Sequence, residues 1–237
     1  MSVKKSKIVV AVLATVFVAL AIQISVTADN DYEDNTLKII DQDEDPDSDS
    51  QSIYVVDEDT ELEIQEIKEA LAIKRKQEEA LSLVNYIKQL TNLNESAAKK
   101  ILSQSEALGL DPFVILAIMR VESVFDPYAV GALGERGLGQ LMDNTARPVA
   151  QNLGIPYDPD RLFEPEYNIL LFTTQLKYLY DFYEGNIHKT LTAYNRGQYG
   201  LERFIASRST IRNPEQSSYS IMILDFAAKY QYEFDNQ

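Results

Sequence analysis

The sequence predicts a mainly α-helical protein, and three observations carry that prediction. Apolar residues recur at three- and four-residue spacing through most of residues 62–237. Glycines stand where those periodic runs stop, at Gly109, Gly154, Gly185 and Gly197. One internal stretch breaks the pattern: GALGERGLGQLM, residues 131–142, has four glycines in twelve residues. That is too many for a helix interior, and a short strand or hairpin fits there.

Taken in chain order, the first element is a basic cluster, KKSK, followed by an apolar run from Ile8 to Ile22 and then QISVTA. The Val-x-Ala sequence before Asp29 suits signal-peptide cleavage. Counted through Ala28, the same segment is long enough to be a retained membrane anchor. Both readings of residues 1–28 place the remainder outside the cytoplasm, because the basic flank precedes the apolar run. Residues 29–61 are expected to be a disordered acidic linker, with SIYVV a strand candidate that lacks an evident partner. From Asp29 to Glu66 sixteen Asp and Glu face a single Lys, a charge of −15 that equals the net charge of the whole chain. Such a spacer repels itself and spans roughly 30 Å or more.

Residues 62–95 repeat apolar side chains at helical spacing at both ends, with a charged middle, KRKQEE, and are expected to form an amphipathic helix or stalk. The remaining helices follow within 96–237. ESAAKKILSQSEALG ends at Gly109. DPFVILAIMRVES opens with Asp111 as N-cap and Pro112 at the first helical position. NTARPVAQNLG, PEYNILLFTTQLKYLYDFYEG and IHKTLTAYNRG each stop at a glycine, and PEQSSYSIMILDFAAKYQYEF closes the chain.

Composition narrows the chemistry. The 237 residues include no Cys and a single His, His188. Thiol nucleophiles, Cys-ligated metals, disulfides and multi-histidine metal sites are therefore excluded. Acid–base work falls to carboxylates, Lys or Tyr. The acidic balance argues against nucleic-acid binding, and no metal or cofactor is expected. His188, beside EGNIHK, reads as a surface residue without chemistry.

Glu122 is the carboxylate that stands out. It lies near the C-terminal end of an apolar helix, where the dipole disfavours negative charge and Ile118, Val121 and Phe125 surround it. Both effects raise its pKa, as a general acid for glycosidic cleavage requires. The structural alternative is an ion pair with Arg120, Arg136 or Arg147.

Four segments in order and spacing add to this: LGLDPFVILAIMRVESVFDPYAV, then GERGLGQLMDNTA, then EPEYNI and TAYNRG. Together they resemble lytic transglycosylases of the soluble (SLT) type from about Ser96 onward. Glu122, Ser123 and Phe125 look like the family's Glu-Ser-x-Phe motif. Gly137, Leu138, Gln140, Leu141 and Met142 are similar to its Gly-Leu-Met-Gln-Leu-Met turn, and Ala193, Tyr194, Asn195 and Gly197 to its Ala-Tyr-Asn-x-Gly motif. The resemblance implies a lysozyme-like fold and cleavage of the β-1,4 bond between N-acetylmuramic acid and N-acetylglucosamine in peptidoglycan. In that family one glutamate, here Glu122, protonates the leaving oxygen. It then takes the proton of the muramyl C6 hydroxyl, closing a 1,6-anhydro ring.

The resemblance implies substrate-binding roles for Ser123, Gln140, Tyr194, Asn195 and Tyr219, with the Tyr194 hydroxyl contacting Glu122. Each has a plainer alternative: Ser123 bonding back to its helix, Gln140 bracing the turn, Tyr194 packing in the core. Departures are Gly131 where Ser is frequent, Gly139 for Met, Asp143 for Pro, Phe172 for Gly, Gln175 for Tyr, and Arg196 beside the Tyr-Asn pair. Gly139 is expected to leave an emptier cleft wall. Expected partners are peptidoglycan strands, the membrane if the N-terminal segment is retained, and unidentified components of an envelope machine. Two alternatives stand beside the transglycosylase. One is a goose-lysozyme-type hydrolytic muramidase using Asp126, Glu135 or Asp143. The other is a non-catalytic glycan-binding scaffold.

Overall fold

The computed structural model describes residues 58–236. The apolar N-terminal run, the strand candidate SIYVV and nearly all of the acidic linker lie outside the described residues. The chain divides into two units, Met1–Gln65 and Glu66–Gln237; of the first, only the start of helix α1 is described. The described part is helical without a sheet: α1 (Glu58–Thr91), α2 (Glu95–Leu108), α3 (Pro112–Ser123), α4 (Asp143–Asn152), a 3-10 turn (Pro159–Phe163), α5 (Pro165–Phe182), α6 (Ile187–Arg196), α7 (Gln198–Ala206) and α8 (Ser218–Asp235). No helix among the described residues is long and apolar enough to cross a membrane.

Helix α3 is the centre of the second unit. Its start follows from Asp111, whose carboxylate accepts the Phe113 N–H at 2.8 Å, and from Pro112 at the first turn. Ile115 through Met119 are wholly buried, so the helix is covered all round rather than on one stripe. Helix α8 lies along α3. Phe113 of α3, Phe234 of α8 and Tyr86 of α1 form a cluster of rings with centroids 5.6 to 6.4 Å apart. That cluster and the buried Leu83, Val84 and Ile87 attach the C-terminal half of α1 to the core, while Leu62, Ile67 and Leu71 nearer its start are exposed.

Most stop signals act where they stand. Gly109 is left-handed at φ 62° and closes α2, and Gly154 and Gly185 are left-handed after α4 and α5. Two findings differ from the expectations. The glycine-rich stretch forms two isolated antiparallel bridges, Val130 with Arg136 and Arg136 with Leu141, rather than a hairpin of strands. Gly197 separates two helices, because QYGLERFIA continues at once as α7.

Candidate active site

Glu122 occupies the penultimate position of α3, half-buried. The chain then turns through two successive non-glycine residues in the left-handed region, Val124 at φ 54° and Phe125 at φ 66°. A β-branched residue there is costly. The turn is held by Val124 N–H to Arg120 O and Phe125 N–H to Met119 O, and by burial of the Phe125 ring. It ends the helix sharply and leaves Glu122 at the edge of the core.

The carboxylate meets α8. Tyr219 donates its hydroxyl to Glu122 Oε1 at 2.5 Å. None of the ion pairs among the described residues includes Glu122; Arg147 is taken by Asp143 at 3.0 Å, and Arg136 lies over the Phe163 ring. With no ion pair to offset it, burial pushes the Glu122 carboxyl above its ordinary range. The Tyr219 bond opposes that rise and the negative charge of Glu135 adds to it. Burial, with Glu122 nearby, holds the hydroxyls of Tyr219 and Tyr194 well above the usual phenol range, so both remain donors.

Tyr219 is itself fixed by a network at the start of α8. Ser217 and Ser220 form a reciprocal cap. Thr192 of α6 contacts the Ser217 hydroxyl at 2.8 Å and donates to Glu215 O at 2.9 Å. His188 joins the same corner, with Nδ1 3.0 Å from Ser220 Oγ and Nε2 3.1 Å from Gln216 Nε2. It is thus a brace between α6 and α8 rather than an idle surface residue.

The Tyr194 hydroxyl does not make the expected contact with Glu122; it donates to Gly139 O at 2.7 Å, and Tyr219 makes the contact instead. Helix α6 reaches the 131–142 loop at that point, which positions Tyr194 to fasten the loop. Ser123 is buried, with Oγ 3.0 Å from Met119 O and 2.9 Å from Leu138 O. Its hydroxyl joins the end of α3 to the loop, the bonding-back alternative extended to a second partner. The Gln140 amide nitrogen is taken by Gly137 O at 2.9 Å and Ala129 O at 3.1 Å. Only Oε1 remains for a ligand. Asn195 is exposed at the end of α6.

Two contributors were not assigned to the site from sequence: Asn168 was not noted, and Phe172 was noted only as a departure. Asn168, wholly buried in α5, accepts the Gly139 N–H at 2.8 Å and donates to Arg136 O and Leu162 O. It crosses the loop like a staple. A side chain on Gly137 would collide with Asn168 and with Leu162 O. The available signal was an amide inside the apolar run YNILLF. The second is Phe172. A Cβ at Gly139 would lie 2.5 Å from Phe172 Cγ, and the Phe172 ring is fully buried. The wall expected to be emptier at Gly139 is therefore filled from behind by Phe172. The loop backbone at Gly139 and the ring of Phe172 thus share one space between loop and helix.

Two surface hollows, one lined by Lys100, Arg161 and Tyr167 among others and one by Ile221, Met222 and Phe226, do not include Glu122. Among the described residues no group of three His, Asp or Glu is arranged to hold a metal.

Comparison with known proteins places these residues in context. The Transglycosylase SLT domain family matches residues 99–217. Membrane-bound lytic murein transglycosylase C of Edwardsiella ictaluri is 41% identical over 113 residues, 44% of this chain and 32% of that protein. Its counterpart in Serratia proteamaculans is 39% identical over 116 residues, 45% and 32% of the two chains. The chain thus spans about a third of the length of these curated relatives. Among solved structures, an inactive mutant of lytic transglycosylase Slt from Pseudomonas aeruginosa aligns with TM-score 0.51 and 24% identity, covering 58% of this chain and 24% of that one. The 70 kDa soluble lytic transglycosylase of Escherichia coli aligns with TM-score 0.51 and 23% identity, covering 57% and 24%. The fold is shared with both.

Proposed function

Because this chain belongs to the transglycosylase SLT domain family, which matches residues 99–217, we propose that it is a peptidoglycan lytic transglycosylase with Glu122 as its acid and base. The supporting observation is the isolation of Glu122: half-buried, without a cation, and bonded to a single neutral donor, Tyr219. In that setting the carboxyl holds its proton to higher pH than an ordinary carboxyl and can pass it to the glycosidic oxygen as the C1–O4 bond breaks. The resulting carboxylate is stabilised by the Tyr219 hydroxyl. It then takes the proton of the muramyl C6 hydroxyl as O6 closes on C1. One proton moves from O6 to O4 by way of Glu122, and no water is consumed.

The remaining residues position this group. Ser123 and Tyr194 fasten the loop to α3 and α6, Asn168 fastens it to α5, and Asn195 stands exposed beside Tyr194 to meet the glycan. An envelope location accords with the names of the membrane-bound relatives. Residues 1–28 then serve as signal or anchor and residues 29–61 as the spacer that sets the reach of the 96–237 domain. A non-catalytic scaffold would have no use for an unpaired half-buried acid.

Mass spectrometry of fragments released from purified sacculi tests the proposal. Wild-type protein is expected to release muropeptides with 1,6-anhydro ends, and Glu122→Gln to release none while still binding sacculi. Undiminished cleavage by Glu122→Gln would remove Glu122 from the assigned role.

A further inference from the structure

The segment that follows Asn195 runs against the charge of the chain. Between Arg196 and Asn213 stand four arginines, Arg196, Arg203, Arg208 and Arg212, and one acid, Glu202. Among the described residues no ion pair includes any of the four, whereas six of the ten other Lys and Arg from Lys88 onward are paired. A cation in the last turn of a helix complements its dipole, which accounts for Arg196 at the end of α6 and Arg203 at the end of α7. It does not account for Arg208 and Arg212, which lie beyond α7.

Two of the four gather at one ring. Arg196 and Arg208 each place Cζ 4.7 Å from the centroid of Phe204, so the two guanidinium carbons are separated by at most twice that distance. Stacking restrains a long side chain and leaves its N–H edges free for an anion. Gly200 permits the arrangement, because a Cβ there would lie 2.8 Å from Arg196 Cβ. Arg208 is half-buried, and its Nε is shut from solvent with no acceptor. Its charge must be answered through the other N–H groups of the fork. Two like charges held this close, with no carboxylate of the protein paired to either, repel each other, and a bound anion relieves the repulsion. Arg196, itself a departure from the family pattern, follows directly on Asn195, the exposed residue assigned above to meet the glycan.

We propose that Arg196 and Arg208 form a subsite for carboxylates of the peptides borne by the glycan strand, and that this chain prefers strands that keep their peptides. The inference rests on the proposed function, because it takes the strand that passes Asn195 to be peptidoglycan. Each such peptide carries at least its C-terminal carboxylate, and a guanidinium fork meets both oxygens of a carboxylate in one plane. The neutral hydroxyl and N-acetyl groups of the sugars do not call for paired cations. Arg203 and Arg212 add attraction at longer range, which salt screens.

The test uses the full chain carrying Glu122→Gln, so that strands are bound and not cut. Soluble glycan strands are prepared with their peptides or stripped of them by an amidase, and binding is measured at low salt. Peptide-bearing strands are expected to bind about tenfold tighter than stripped ones, as two surface ion pairs supply. Combining Arg196→Ala with Arg208→Ala is expected to remove that preference. Gly200→Ala, which keeps both charges but displaces Arg196, is expected to weaken it. Peptide-bearing strands whose carboxylates have been converted to amides are expected to bind like stripped ones. Equal binding of peptide-bearing and stripped strands overturns the proposal, and this arm needs no arginine variant to fold. An undiminished preference in the folded double variant, checked by its thermal melt, overturns it equally, as does a preference that survives amidation. Failure of the proposed function reads out separately. Peptide preference in binding, with no 1,6-anhydro ends released by the wild type, would remove the transglycosylase reading and leave the subsite standing.

Discussion

Replacing Tyr219 by Phe removes one hydroxyl and leaves the ring that packs against the core. The lost contact is the 2.5 Å bond to Glu122 Oε1. That bond favours the ionised carboxyl, because a hydroxyl can donate to a carboxylate more strongly than to a neutral acid. A hydrogen bond to a charged group contributes about 1.5–3 kcal/mol. Only the part of that energy by which the bond prefers the carboxylate over the neutral acid acts on the Glu122 pKa, so its loss raises that pKa. The acid step needs Glu122 protonated, so the alkaline limb of the pH–rate profile moves to higher pH in Tyr219→Phe. The assay is the initial rate of sacculus clearing across a pH series for both proteins. A general loss of positioning would lower the whole curve without displacing it. Superimposable alkaline limbs would refute the argument that Tyr219 sets the proton affinity of Glu122.

Two further outcomes follow from the same geometry. Gly139→Met is expected to destabilise the protein by about 1–3 kcal/mol through collision with Phe172, and Phe172→Ala by about 3–5 kcal/mol through the cavity it leaves. The double variant should recover at least about 1 kcal/mol of the summed loss by chemical denaturation; strict additivity would show that the two positions do not share space. Glu122→Gln is expected to gain stability over wild type as pH rises. Burial raises the folded carboxyl above its unfolded value, so the stabilising contribution of the protonated form is complete below the unfolded pKa and is lost through the folded one. The difference between the two proteins, measured by urea unfolding at several pH values, should grow by about 1.4 kcal/mol for each unit of that window. Parallel pH curves would exclude a raised carboxyl.

Local signals carried much of the fold. Asp111, Pro112 and the left-handed glycines act over a few residues, and their physics is complete within the segments that contain them. Helix α7 escaped notice because Gly197 reads as a stop and Gly200 follows inside a nine-residue element. The site was legible as a set of residue types but not as a wiring diagram. Burial and helix position marked Glu122, yet which tyrosine reaches it depends on how α6 and α8 dock. The separation of Glu122 from Tyr219 in sequence, 97 positions, gives no spacing rule to read. Gly139 taken singly suggested a gap, and Phe172 stood only as a large residue where a small one is frequent. Only their juxtaposition shows the compensation. The placement of the Glu135 side chain likewise depends on a neighbour in space, the missing Cβ of Gly131.

The contact between Tyr219 and Glu122 also bears on where a working fragment can be cut. The region that matches the family closes at residue 217, two positions short of the tyrosine and before all of α8. A fragment trimmed to that border would keep the glutamate, the loop and the Tyr-Asn pair, but lose the hydroxyl donor to the acid and the helix that covers its neighbours. On a growing polypeptide the same dependence acts in time: the acid is laid down first and gains its partner only after helix α8 has docked.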